Sequence, residues 1–133
     1  MTELTPEALA ALASVAAQVT PPGFEASVDV REGALQVVVG LRPCGPAYGG
    51  GQHLDYFLLS RPEEMVMWVT GAVHRCVGGI VAMELRPLVE KRNAARERWK
   101  KSNRQPEAVA YHKAQLKLED ACRRRFGSKV IVP

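Results

Sequence analysis

From Met65 to Leu85 the chain is apolar apart from His74, Arg75 and Glu84, and the topology hangs on what this run becomes. A continuous apolar stretch fits either a buried helix or buried strands. Read as a helix, it places Met65, Trp68, Val69, Ala72, Val73, Cys76 and Ile80 on one side. Gly71, Arg75, Gly78 and Ala82 lie opposite, as a groove of small residues that a second backbone can approach. Ser60-Arg61-Pro62-Glu63 is a capping-box pattern that starts such a helix. The rival is two short strands, Met65 to Thr70 and Val77 to Met83, separated by a turn. Two adjacent polar residues near the middle, together with Gly78-Gly79, argue against a membrane span.

The segments before this run are more sharply patterned. Thr5-Pro6-Glu7 gives a hydroxyl N-cap, a proline at the first helical position and an acid in the first turn. A helix with Leu9, Leu12 and Val15 on one side follows, and Thr20-Pro21-Pro22-Gly23 stops it. Phe24, Ala26, Val28 and Val30 then alternate with Glu25, Ser27, Asp29 and Arg31, which is the period of a strand with one wet face. Glu32-Gly33 makes a tight turn into a returning strand carrying Leu35, Val37, Val39 and Leu41. Val38 is apolar as well, which points to cover on both faces of that strand. Pro43 to Gly51 is dense in Gly and Pro and reads as a loop. His53 to Leu59 offers a third strand with Leu54, Tyr56 and Leu58 on one face.

Pro87 ends or kinks whatever precedes it. Leu88 to Lys101 is helical and very polar, with Leu88, Ala95 and Trp99 on one stripe. Ser102 to Glu107 is a turn and a new start. Glu107 to Phe126 forms a last helix with Tyr111, Ala114, Leu118 and Ala121 at seam spacing, capped by Gly127. Val130-Ile131-Val132 could add a strand edge or a partner contact. The sum is an α+β fold: an N-terminal helix, an antiparallel β-hairpin with room for a third strand, a central apolar helix, and a C-terminal antiparallel helical hairpin. The 133 residues suit one domain, with an acidic α/β part over 1–60 and a mainly helical, basic part over 61–133.

Charge separates these parts. Residues 1–70 carry three Arg against eight Asp and Glu, a net −5, and residues 71–133 carry fifteen Lys and Arg against six acids, a net +9. Such asymmetry points to a surface that meets a polyanion or an acidic partner. Arg92, Arg96 and Lys100 recur every four residues with Trp99 beside them, and Lys113 and Lys117 line the next helix. With Arg104, Arg125 and Lys129 they make the candidate surface, where cations neutralise phosphate and Trp99 or Tyr111 is available to stack on a base. The competing reading is a solvated helical face, since Glu97, Glu119 and Asp120 each precede a cation by four and cancel part of the field. Trp99 and Tyr111 also lie on the seam, where they would serve as core.

Other chemistry is thinly supported. Cys44, Cys76 and Cys122 are odd in number and widely spaced, so they do not read as a disulfide framework. No secretory pattern opens the chain, and a reducing, intracellular setting fits. His74 and Cys76 are close in sequence, but on a helix they point to different faces and make a poor metal pair. His53 and Asp55 follow a Gly-rich loop and would share a strand face, an acid–base geometry without a nucleophile or oxyanion hole nearby.

These residues lead to a non-enzymatic protein whose basic C-terminal helical surface binds nucleic acid or an acidic protein, with no cofactor, metal or membrane. The alternative is an assembly subunit, a homo-oligomer or part of a larger phage-like particle, or a small inhibitor that docks on an acidic protein. The setting is cytoplasmic, or the virion if the chain is phage-encoded.

Overall fold

The computed structural model describes residues 4–42, 45–57 and 61–127. The element order is α1 (Pro6–Val19), β1 (Phe24–Arg31), β2 (Ala34–Leu41), β3 (Ala47–His53), a 3-10 turn (Leu54–Phe57), α2 (Pro62–Glu84), α3 (Arg86–Ser102) and α4 (Gln105–Phe126). This is the α+β arrangement expected from the sequence. The chain divides into two compact units between Ile80 and Val81, inside α2.

In the first unit Thr5 caps α1, its hydroxyl accepting the Ala8 amide at 3.1 Å, and Leu12 and Ala16 are buried beside β1. The strands form an antiparallel meander in the order β1-β2-β3. Glu32 and Gly33 both have positive φ, 52° and 74°. That is the primed turn whose twist suits a two-residue hairpin. The register sets Val28 against Val37 and Val30 against Leu35, so the inward set of β2 (Leu35, Val37, Val39, Leu41) is buried. Val38 is 41% exposed, so β2 is wet on its outer face and not covered on both.

The third strand is displaced from its expected position. It occupies Ala47–His53, inside the stretch read as a loop, and pairs Val39 with Tyr48 and Val37 with Gly50. The open edge of β2 offers a full ladder of backbone partners, and pairing with it outweighs the weak strand preference of three glycines. His53 to Leu59 does not alternate: Leu54 and Phe57 are buried three apart in a 3-10 turn, while Tyr56 is 65% exposed. Leu58 lies outside the described residues.

The central run is one helix, α2. Val69, Ala72, Val73, Cys76, Val77 and Ile80 are buried at three-four spacing, and Trp68 meets Phe57 edge to face at 6.1 Å. A Cβ at Gly79 would come within 3.1 Å of the Tyr48 ring, so a glycine here lets β3 and α2 approach. Ser60, the proposed cap, lies outside the described residues. By length and composition α2 could cross a membrane, and 39% of its most apolar window is buried inside the structure.

In the second unit Leu85 separates α2 from α3, and Pro87 occupies the first turn of α3, where its missing N–H costs no helical bond. Asn103 ends α3 in the left-handed conformation at φ 52°, its amide donating to the Trp99 carbonyl at 2.7 Å. Only Asn103 and Arg104 separate α3 from α4, so the two helices fold back against each other. Gly127 closes α4 at φ 77°. Val130 to Val132 lies outside the described residues.

Candidate polyanion-binding surface

The hairpin sorts its cations onto different faces. Arg92, expected on the surface, is 1% exposed and belongs to the buried stripe of α3 with Val89 and Ala95. Its Nε donates to Asn93 Oδ1 at 2.9 Å and its Nη1 to Gln115 Oε1 of α4 at 3.0 Å. Burial lowers its pKa, Arg96 lowers it further, and Tyr111 opposes both through charge and a hydrogen bond. Arginine stays cationic throughout. Arg96 is half-buried and donates from Nη2 to the same Asn93 oxygen at 3.2 Å. The four-residue row read from the sequence therefore winds into the seam. Its first member, Arg92, lies four residues after Leu88 and three before Ala95, on the stripe that faces α4.

Trp99 is half-buried and stacks on Tyr111 at 5.4 Å with 27° between the planes, with His112 5.8 Å away. The two aromatics engage each other across the hairpin. Lys100 is exposed, with Nζ 3.8 Å from Glu97, so Glu97 faces Lys100 where the spacing pointed to Lys101. Asp120 pairs with Arg124 at 2.8 Å, as its spacing implied. Glu119 accepts from Gln115 Nε2 at 3.4 Å. Arg125 lies 3.4 Å from Glu84 and its guanidinium carbon is 5.5 Å from the centre of the Phe126 ring. Arg104 is exposed at the start of α4, and Lys129 lies outside the described residues.

Lys113 and Lys117 do face an open groove. Lys91, Ala95 and Arg98 of α3 and Ala110, Lys113, Ala114 and Lys117 of α4 enclose about 230 Å³. Its four cations are exposed, and among the described residues none of them joins an ion pair. No acid lines it. Lys91 and Arg98 were missed from the sequence, although seven-residue spacing about Ala95 places both beside the seam. Lys117 is shared with a second, larger cavity of about 540 Å³ lined also by Leu88, Asp120, Ala121, Arg124 and Arg125. Counted over the whole sequence, residues 81–133 carry fourteen Lys and Arg against six acids, a net +8, and residues 1–80 carry four against eight, a net −4.

The other candidate chemistry fares differently. His53 ends β3 and Asp55 sits in the 3-10 turn, so the shared strand face expected for them is not formed. On α2, His74 is exposed and Cys76 buried, and among the described residues no cluster of three or more His, Cys, Asp or Glu could hold a metal ion. No family model matches the chain, and neither do curated proteins or solved structures.

Proposed function

We propose that this protein binds nucleic acid through its phosphate backbone, using the groove between α3 and α4. The observation that carries this reading is the set of four exposed cations, Lys91, Arg98, Lys113 and Lys117, that join no ion pair among the described residues, over a floor of alanines with no acid lining the groove. The helical rise separates Lys113 from Lys117 by about 6 Å and Lys91 from Arg98 by about 10.5 Å along their axes. A single small anion cannot meet charges spread this far, whereas a chain of phosphates can. Protein interfaces centre on aromatic, Met or Arg anchors in well-packed pockets, and a floor of alanine methyls supplies no apolar anchor. A smooth anionic backbone therefore fits better than an acidic protein face. Trp99 and Tyr111 are occupied with each other, which makes groove contacts backbone-directed and indifferent to sequence.

Fluorescence anisotropy of a labelled oligonucleotide across a salt series tests this. Four neutralised phosphates give a slope of log affinity on log salt of about −3.6 for duplex DNA and about −2.8 for single strands. Replacing Lys91 and Arg98 with Ala removes two contacts and flattens the slope by roughly 1.4 to 1.8. Salt-independent binding, or no binding in dilute buffer, would rule the reading out.

A further inference from the structure

The groove runs on past Lys117, and there its chemistry changes. In the groove the cations join no ion pair among the described residues and the floor is alanine. In the adjoining cavity of about 540 Å³, Leu88 and Ala121 add an apolar surface and both arginines are already held. Arg124 Nη2 lies 2.8 Å from Asp120 Oδ2, and Arg125 Nη2 lies 3.4 Å from Glu84 Oε2 with its guanidinium also against Phe126. A guanidinium that meets a carboxylate through its edge keeps its flat face open, and that face can stack on a flat π-system.

We infer that this cavity receives an unpaired nucleobase, stacked on Arg124 or Arg125 above Leu88 and Ala121, from the same strand whose phosphates lie in the groove. This rests on the phosphate-binding reading and deepens it: the ligand class is single-stranded nucleic acid. A duplex keeps its base faces stacked inside the helix and can use the groove alone, as can a polyanion without bases. An acidic peptide would bring carboxylates up against Asp120 and is disfavoured there.

The test uses the full chain at one fixed salt concentration. A labelled mixed-sequence single strand is bound, then competed with inorganic polyphosphate, duplex DNA and polyglutamate of equal charge. One stacked base should make the single strand the tighter ligand by about 5- to 150-fold over polyphosphate. Arg124→Lys with Arg125→Lys keeps the charge and removes the planar platform, and this ratio should fall towards one. Polyphosphate binding by the same variant serves as its folding control. Equal competition by polyphosphate, duplex or polyglutamate overturns the base site while leaving the groove reading standing, and so does an unchanged ratio in the lysine variant. Absence of binding to any polyanion overturns both.

Discussion

The two units differ in whether a charge is admitted to the buried interior. In the first, every residue buried among the described ones is apolar, from Leu35, Val37 and Val39 in β2 to Val69, Val73 and Ile80 in α2. In the second, the buried set of α3 is Val89, Arg92 and Ala95, and the interior holds a guanidinium bonded to Asn93 and Gln115. A sheet with helices beside it can hide a broad apolar face. A two-helix hairpin offers only a narrow stripe, and one with this many surface charges has few large apolar side chains for it. Hydrogen bonds across the seam then take over part of the task of fixing how α3 and α4 align, a role polar interiors can serve where packing alone is permissive.

That contrast can be broken first at its strongest point. Leu35 is fully buried on the central strand, and Leu35→Ala should cost about 3 kcal/mol, as cavity-forming Leu→Ala changes do. Each unit holds one of the two tryptophans, Trp68 in the first and Trp99 in the second. With Trp99→Phe as background, Trp68 fluorescence in a urea titration reports the loss in the first unit. A cost below about 1 kcal/mol would mean that the site collapses around the deletion and that the apolar core is loosely packed.

The next test compares two replacements at one position in the second unit. Arg92→Ala takes the donor from Gln115, leaves Asn93 Oδ1 with Arg96 alone and removes a long buried side chain, at a cost of about 2 to 3 kcal/mol. Arg92→Met fills most of the same volume without a charge to bury and should lie within about 1 kcal/mol of the parent, on either side. Trp99 fluorescence in a Trp68→Phe background follows both. If Met is as damaging as Ala, the hydrogen bonds themselves carry the stability of the hairpin. If both are harmless, the network does neither job.

The elements were legible in the sequence wherever local signals agreed with long-range packing. Thr5-Pro6-Glu7, the alternation of β1 and β2, Glu32-Gly33, Pro87 and Gly127 each act through their own backbone chemistry, and each sits where that chemistry places it. β3 was not legible, because Tyr48-Gly49-Gly50-Gly51 has no strand preference of its own and is recruited by the free edge of β2. At the candidate surface, charge alone was a poor guide to exposure. Arg92 and Lys91 differ by one residue, a turn of about 100° on a helix. The seam stripe of Leu88, Ala95 and Trp99 already claimed the position of Arg92, while the seven-residue pair Lys91 and Arg98 was hidden among the nine charged residues from Arg86 to Lys101.

The smallest effect probes how each interior treats charge. Cys76 is buried in the first unit, and desolvation pushes its thiol pKa up, with Arg75 pulling weakly the other way. In the second unit desolvation lowers the pKa of Arg92, and the charge of Tyr111, together with the hydrogen bond Arg92 donates to it, works the other way. Above the ordinary thiol pKa of about 8.5, an unfolded chain has lost the Cys76 proton while the folded chain keeps it. The unfolded state then binds fewer protons, so stability falls as pH rises through that value and is insensitive to this group below it. The slope from one proton is at most about 1.4 kcal/mol per pH unit. Urea unfolding between pH 7 and 10, read at Trp68 in a Trp99→Phe background, should therefore show a decline that Cys76→Ala makes shallower, since other groups titrate in both. Parallel pH curves for the two chains would mean that Cys76 ionises as readily folded as unfolded, and that the interior around α2 is wetter than its side chains indicate.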